Sequence, residues 1–154
     1  MTNAVIGMKR VEDWQARLRS TIAQWQKKDF VWGKTDCFCF AAACVEAMVG
    51  KNPMQPVLGE YKSQREAYKH VLKGIKGKDG TFYKADGITG YIGLAMGQEK
   101  PVSMAQRGDV VLCNVDGANV TGIMSEDGKR IWAMCDEKGM VLLPMEMGVK
   151  AWGV

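Results

Sequence analysis

The sequence predicts an α+β domain, with helices first and an antiparallel sheet after them. Three observations carry this. Apolar residues recur at helical spacing near the start, at Val11, Trp14, Leu18, Ile22 and Trp25. From Arg107 onward the pattern changes to short apolar runs split by Gly, Asp and Asn. A length of 154 residues suits one domain with a real core, so 1–154 is expected as a single domain.

The first helix is predicted over Val11 to Lys27, with charges and glutamines on its outer face. The stretch Asp29 to Lys34 breaks it, and Gly33 allows a tight turn. A second helix follows from Cys37 to Val49. Cys37, Phe40, Ala41, Cys44 and Met48 share one of its faces, and Glu46 is its only charge, so it should be central. Gly50 is a natural stop. Pro53 and Pro56 punctuate a loop. Ser63, with Glu66 three residues on, reads as a capping box opening a third helix over Gln64 to Lys73. Its apolar positions are Ala67, Tyr68, Val71 and Leu72, with His70 at the border. The glycine-rich stretch after it reads as a long irregular connection, then a short helix at Tyr91 to Met96.

Five strands are expected next, in "GDVVLCNV", "VTGIMSE", "RIWAMCDE", "GMVLLPM" and "KAWGV". Asp127-Gly128 and Lys138-Gly139 fall between successive runs, as hairpin turns do. The expected sheet is an antiparallel meander of about five strands with the Cys37 helix packed on it.

Composition excludes several classes. No window is apolar enough for a membrane span, and the first residues lack the apolar stretch of a secretory leader. Net charge is +4 and the basic residues are scattered, with small clusters at Lys27-Lys28 and from Lys69 to Lys78. A nucleic-acid face would need a denser stripe with aromatics interleaved, so no nucleic-acid partner is expected. Five cysteines with uneven spacing read as free thiols in a reducing compartment. With one close pair, Cys37 and Cys39, and a single histidine, neither a metal site nor a cofactor is expected.

The chemistry concentrates at "FVWGKTDCFCF". A cysteine at a helix N-terminus feels the positive end of the helix dipole and meets free backbone N–H groups, which favour the thiolate. Cys37 has that place; Cys39 and Cys44 do not. A buried thiol that merely fills space is the competing account. Trp32, Gly33 and Asp36 would line any groove beside Cys37. Asp36 would cap the helix or order the turn, and its carboxylate would raise the thiol pKa.

The segment "FVWGKTDCFCF" resembles the nucleophile motif of NlpC-type cysteine peptidases, a papain-like superfamily. "AQRGDVVLCNV" resembles that family's Arg-Gly-Asp strand, and "VTGIMSEDGKRIWAM" its next hairpin. "GMVLLPM" and "KAWGV" are similar to the end of a branch found among bacteriophage tail genes. The resemblance spans roughly residues 10 to 154. It implies a papain-like fold with Cys37 in the nucleophile's place. The family's base is the histidine of His-Val-Gly-Ile; with Gly122-Ile123 aligned, that place falls on Val120, and a slip of one residue gives Asn119. Valine cannot accept a proton, Asn119 and Thr121 are poor bases, and His70 lies outside the motif region.

Three functions remain open. One is a catalytically silent tail-tip or assembly protein, held in the virion, or in the host cytoplasm before assembly, whose partners are other phage tail proteins. Another is a cysteine hydrolase acting on cell-wall peptides, with Cys37 as nucleophile and His70, or a residue of another chain, as base. The third is a small phage regulator of a host process.

Overall fold

The computed structural model describes residues 4–84 and 87–154. Helix α1 spans Trp14–Trp25, and its start lies later than the apolar period suggests. The Val11 amide is taken by Met48 O at 2.8 Å, which ties residues 11–13 to the neighbouring helix as a turn. Helix α2 spans Cys37–Val49, with the boundaries the sequence predicts. Asp36 is extended and accepts from the Cys39 amide, while Gly50 ends the helix at φ 87, a conformation cheap only for glycine. Glu46 is its one exposed residue, and Phe40, Cys44 and Met48 are fully buried.

Helix α3 covers Gln64–Lys73, and Ser63 Oγ accepts from the Glu66 amide at 3.1 Å. Glu66 reaches back to the Lys62 amide, one residue before the position a capping box uses. The side chains of Val71 and Leu72, expected on its apolar face, lie outside the described residues.

The connection predicted to be irregular holds a hairpin, β1 (Ile75–Lys76) and β2 (Phe82–Tyr83). Two-residue strands are too short to show an alternation. Ile75 and Tyr83 anchor it in a small core with Val57. Helix α4 covers Gly87–Met96, starting one turn before the expected Tyr91.

The sheet has six strands rather than five: β3 (Glu99–Lys100), β4 (Val110–Val115), β5 (Ala118–Met124), β6 (Arg130–Cys135), β7 (Gly139–Pro144) and β8 (Gly148–Trp152). Its order is β3-β8-β4-β5-β6-β7, with every pair antiparallel. The meander therefore holds for β4 to β7 only. After β7 the chain passes through the 3-10 turn Met145–Met147 and returns to pair β8 with β4, Trp152 opposite Val110. Burial explains the return, since Ala151 and Trp152 are almost wholly buried. Each large side chain so buried contributes about 1.5–3 kcal/mol.

Both faces of the sheet are covered. Val110, Leu112, Ile123 and Met134 pack against α2. Val111, Cys113, Met124 and Ala133 face the other way, where Val102, Ala105, Met145 and Met147 close over them. That double burial makes the strands read as near-continuous apolar runs.

One ion cluster joins the two ends of the described chain. Asp109, 2% exposed, takes Arg10 at 3.0 Å and Lys100 at 2.7 Å, and accepts from the Gln106 and Val154 amides. Burial lowers the Arg10 pKa and Asp109 opposes that shift. No helix among the described residues is long and apolar enough to cross a membrane.

Candidate functional site

The start of α2 is built around one buried carboxylate. Asp36 is fully buried, and its oxygens accept from the Gly33 amide at 2.8 Å, the Cys39 amide at 2.9 Å and the Tyr61 hydroxyl at 2.6 Å. Gly33 must be glycine. It sits at φ +80, and a Cβ there would lie 1.9 Å from Tyr61 O. The loop carrying Tyr61 thus presses directly on the turn before Cys37, and Gly59 N donates to Gly33 O. Cys39 Sγ lies 3.8 Å from the same tyrosine oxygen. Burial, then the Asp36 charge, drives the Tyr61 and Cys39 pKa values upward.

Cys37 follows this cap and faces a groove of about 300 Å³. Trp32, Gln64 and Tyr68 line one part of it, and Asp116, Asn119, Val120, Cys135 and Lys138 another. Phe30 and Trp32 meet edge to face at 4.9 Å on its wall. The Cys37 side of the groove is closed to solvent, with the residue only 4% exposed.

Electrostatics keep the thiol protonated. Burial first, and the neighbouring Asp36 carboxylate second, push Cys37 up to about 12. Thr121 opposes the rise through its backbone and its hydroxyl. That hydroxyl leans on the thiol without completing a bond of normal geometry, for Oγ1 is buried with no hydrogen-bond partner. Burial also lifts Cys113 to about 12, and the pKa of Cys44 and Cys135 rises for the same reason. The helix-dipole advantage read from the sequence is therefore outweighed by desolvation.

The expected site residues are only partly brought together. Cys37, Trp32, Asn119 and Val120 line one groove. Gly33 and Asp36, expected on its wall, lie beneath it instead, because the carboxylate is consumed in holding the turn. Val120 pairs with Cys113 across the sheet and packs into the cluster on the face away from α2. The residue acting on the Cys37 thiol is Thr121, one position later.

Residues 9–154 match the family described as Domain of unknown function (DUF6950). The chain belongs to this family. No curated protein matches it.

In this DUF6950 member His70 does not line the Cys37 groove. It sits in a separate niche with Phe38, Met54, Tyr61, Ala67 and Tyr91. Its ring stands 6.1 Å from that of Tyr61, and its Nδ1 is buried without a partner. Among the described residues no cluster of three or more His, Cys, Asp or Glu could hold a metal ion.

Sequence reasoning missed Tyr61, and it weighed Thr121 only as a poor base, not as the neighbour of the Cys37 thiol. Tyr61 lies in a loop with no pattern to mark it. The facing of Thr121 was findable: side chains two apart on a strand share a face, so it points the same way as Ile123, toward α2.

Proposed function

We propose that this DUF6950 member is a papain-like domain of NlpC type that keeps the nucleophile's position without the base. We assign it a structural or assembly role in a bacteriophage tail. The observation that supports the silent site is the setting of Cys37. Its thiol is protonated, desolvated and faced by Thr121, with Val120 and Asn119 beside it in the groove. A cysteine nucleophile needs an adjacent base or cation to form its thiolate, and the sole histidine stands in another niche.

The tail assignment is supported by the similarity of the segments "GMVLLPM" and "KAWGV" to the end of a branch found among tail genes, beside the likeness of the Cys37 and Asp109 segments to the NlpC-type family. An assembly role also fits the surface. Strand β7 is an outer strand of the sheet, and Met104 and Val149 stand 63% and 51% exposed. Outer strands and exposed apolar side chains are places where another chain can add.

The test is co-purification. A tagged full-length protein, expressed from its own phage, should sediment with tails or virions. Recovery only in the soluble host fraction would favour a regulator and sink the tail assignment. Release of cell-wall peptides that disappears in a folded Cys37→Ala variant would sink the silent reading.

A further inference from the structure

The residues between Glu60 and Lys84 form one of two basic stretches of the chain, the other being residues 1–28. Between Glu60 and Lys84 there are seven Lys or Arg against three carboxylates, an excess of four that equals the net charge of the entire chain, +4. The β1–β2 hairpin organises part of it. Lys76 pairs with Phe82, and Ile75 with Tyr83. Ile75 and Tyr83 are buried, so Lys76 and Phe82 share the outer face. Gly77 N donates to Thr81 O, which carries the register on toward the turn.

Alternation puts Lys84 on the face of Phe82, while Lys78 opens the turn after β1, its amide donating to Pro56 O at 2.7 Å. All of them are exposed, Phe82 by 59%. Lys73, at the end of α3, adds a fourth exposed cation beside the hairpin, where the Phe82 ring crosses Gly74. None of the four lysines joins an ion pair among the described residues. Folding thus builds the stripe of cations around an aromatic ring that is absent from the linear sequence.

We infer that this hairpin face binds single-stranded nucleic acid, with Phe82 stacking a base and Lys73, Lys76, Lys78 and Lys84 holding phosphates. Charge complementarity requires a polyanion. Lys76 and Lys78 are two residues apart, so their Cα atoms lie within about 7 Å of each other, close enough for both side chains to reach neighbouring phosphates. An exposed phenyl ring at cross-strand distance from a lysine offers a base a π-face next to its phosphate. A membrane surface fits less well, because interfacial binding scales with buried apolar area. Phe82 is the one large exposed apolar side chain of this segment among the described residues. The face is separate from the Cys37 groove, so this inference stands apart from the proposed function.

Fluorescence anisotropy of the full chain with labelled oligo-dT of about 20 nucleotides tests it. Four neutralised phosphates give a salt slope near −3, so affinity should fall roughly 50-fold from about 50 to about 200 mM salt. Combining Lys76→Gln, Lys78→Gln and Lys84→Gln should flatten most of that slope. Phe82→Ala should weaken binding roughly 5- to 100-fold, and Phe82→Tyr should restore it. Circular dichroism checks that the variants fold.

No binding at the lower salt overturns the inference. So does a lysine variant that binds undiminished, or a Phe82→Ala variant of unchanged affinity, since bare charge would then hold any polyanion. Lysine-dependent capture by phosphatidylserine vesicles, without oligo-dT binding, assigns the face to a membrane instead.

Discussion

Alkylation of Cys37 should be slow at neutral pH. The rise of its pKa from the ordinary 9.0 to about 12 lowers the thiolate fraction about a thousandfold. A more basic thiolate is also a better nucleophile. With a Brønsted slope of about 0.4–0.5, that recovers roughly 15- to 30-fold. The expected net deficit against a free thiol is therefore roughly 30- to 60-fold, before the further loss from 4% exposure. Iodoacetamide labelling of the folded chain, followed residue by residue by peptide mass spectrometry, measures it. The rate should keep rising beyond pH 9 toward 12 without a plateau near neutrality.

The same shift sets a stability trend. The folded thiol holds its proton above the pH where the unfolded thiol releases it. Stability is therefore complete below about 9 and falls as pH rises toward 12, by about 1.4 kcal/mol per pH unit for this group. A Cys37 that reacts at pH 7.5 as fast as glutathione, or whose rate plateaus below pH 9, would refute the reasoning and return the site to the hydrolase reading.

Two substitutions test the scaffold. Asp109→Ala leaves Arg10 and Lys100 without the carboxylate they share and should cost about 3–5 kcal/mol in urea unfolding; a loss under about 1 kcal/mol would make the cluster incidental. Tyr61→Phe removes the hydroxyl that donates to buried Asp36 at 2.6 Å and should cost about 1–3 kcal/mol by the same assay, whereas a neutral outcome would mean that the two backbone amides suffice to hold the carboxylate.

The helices were legible where local chemistry marks both ends. Asp36 and Gly50 bound α2, and Ser63 bounds α3, through contacts within a few residues of each other. Strands β4 to β7 were legible for a similar reason, since Asp127-Gly128 and Lys138-Gly139 punctuate the runs. What could not be seen depends on distant partners. The strand at "KAWGV" was expected, but its place beside β4, with Trp152 opposite Val110, and the short β3 that pairs Glu99 with Trp152 are pairings no local pattern encodes. The β1–β2 hairpin depends on burying Ile75 and Tyr83 against Val57.

The site was legible in its residue types and illegible in its facing. The resemblance to NlpC-type peptidases would put their histidine place at Val120, counting back from Gly122-Ile123, yet strand parity points that side chain into the cluster with Cys113. Thr121 takes the contact with the thiol. The difference of one residue decides which side chain touches sulfur, but not whether the thiol is activated. Asn119, Val120 and Thr121 are all without a proton-accepting group of useful basicity at neutral pH. Any base brought there would also have to overcome the burial and the Asp36 carboxylate that hold Cys37 near 12. That carboxylate is fixed by three donors whose job is to form the turn. The device that places Cys37 at the head of α2 is therefore also one that suppresses its thiolate. Only a strong cationic partner, such as a histidine held as imidazolium, could reverse the balance.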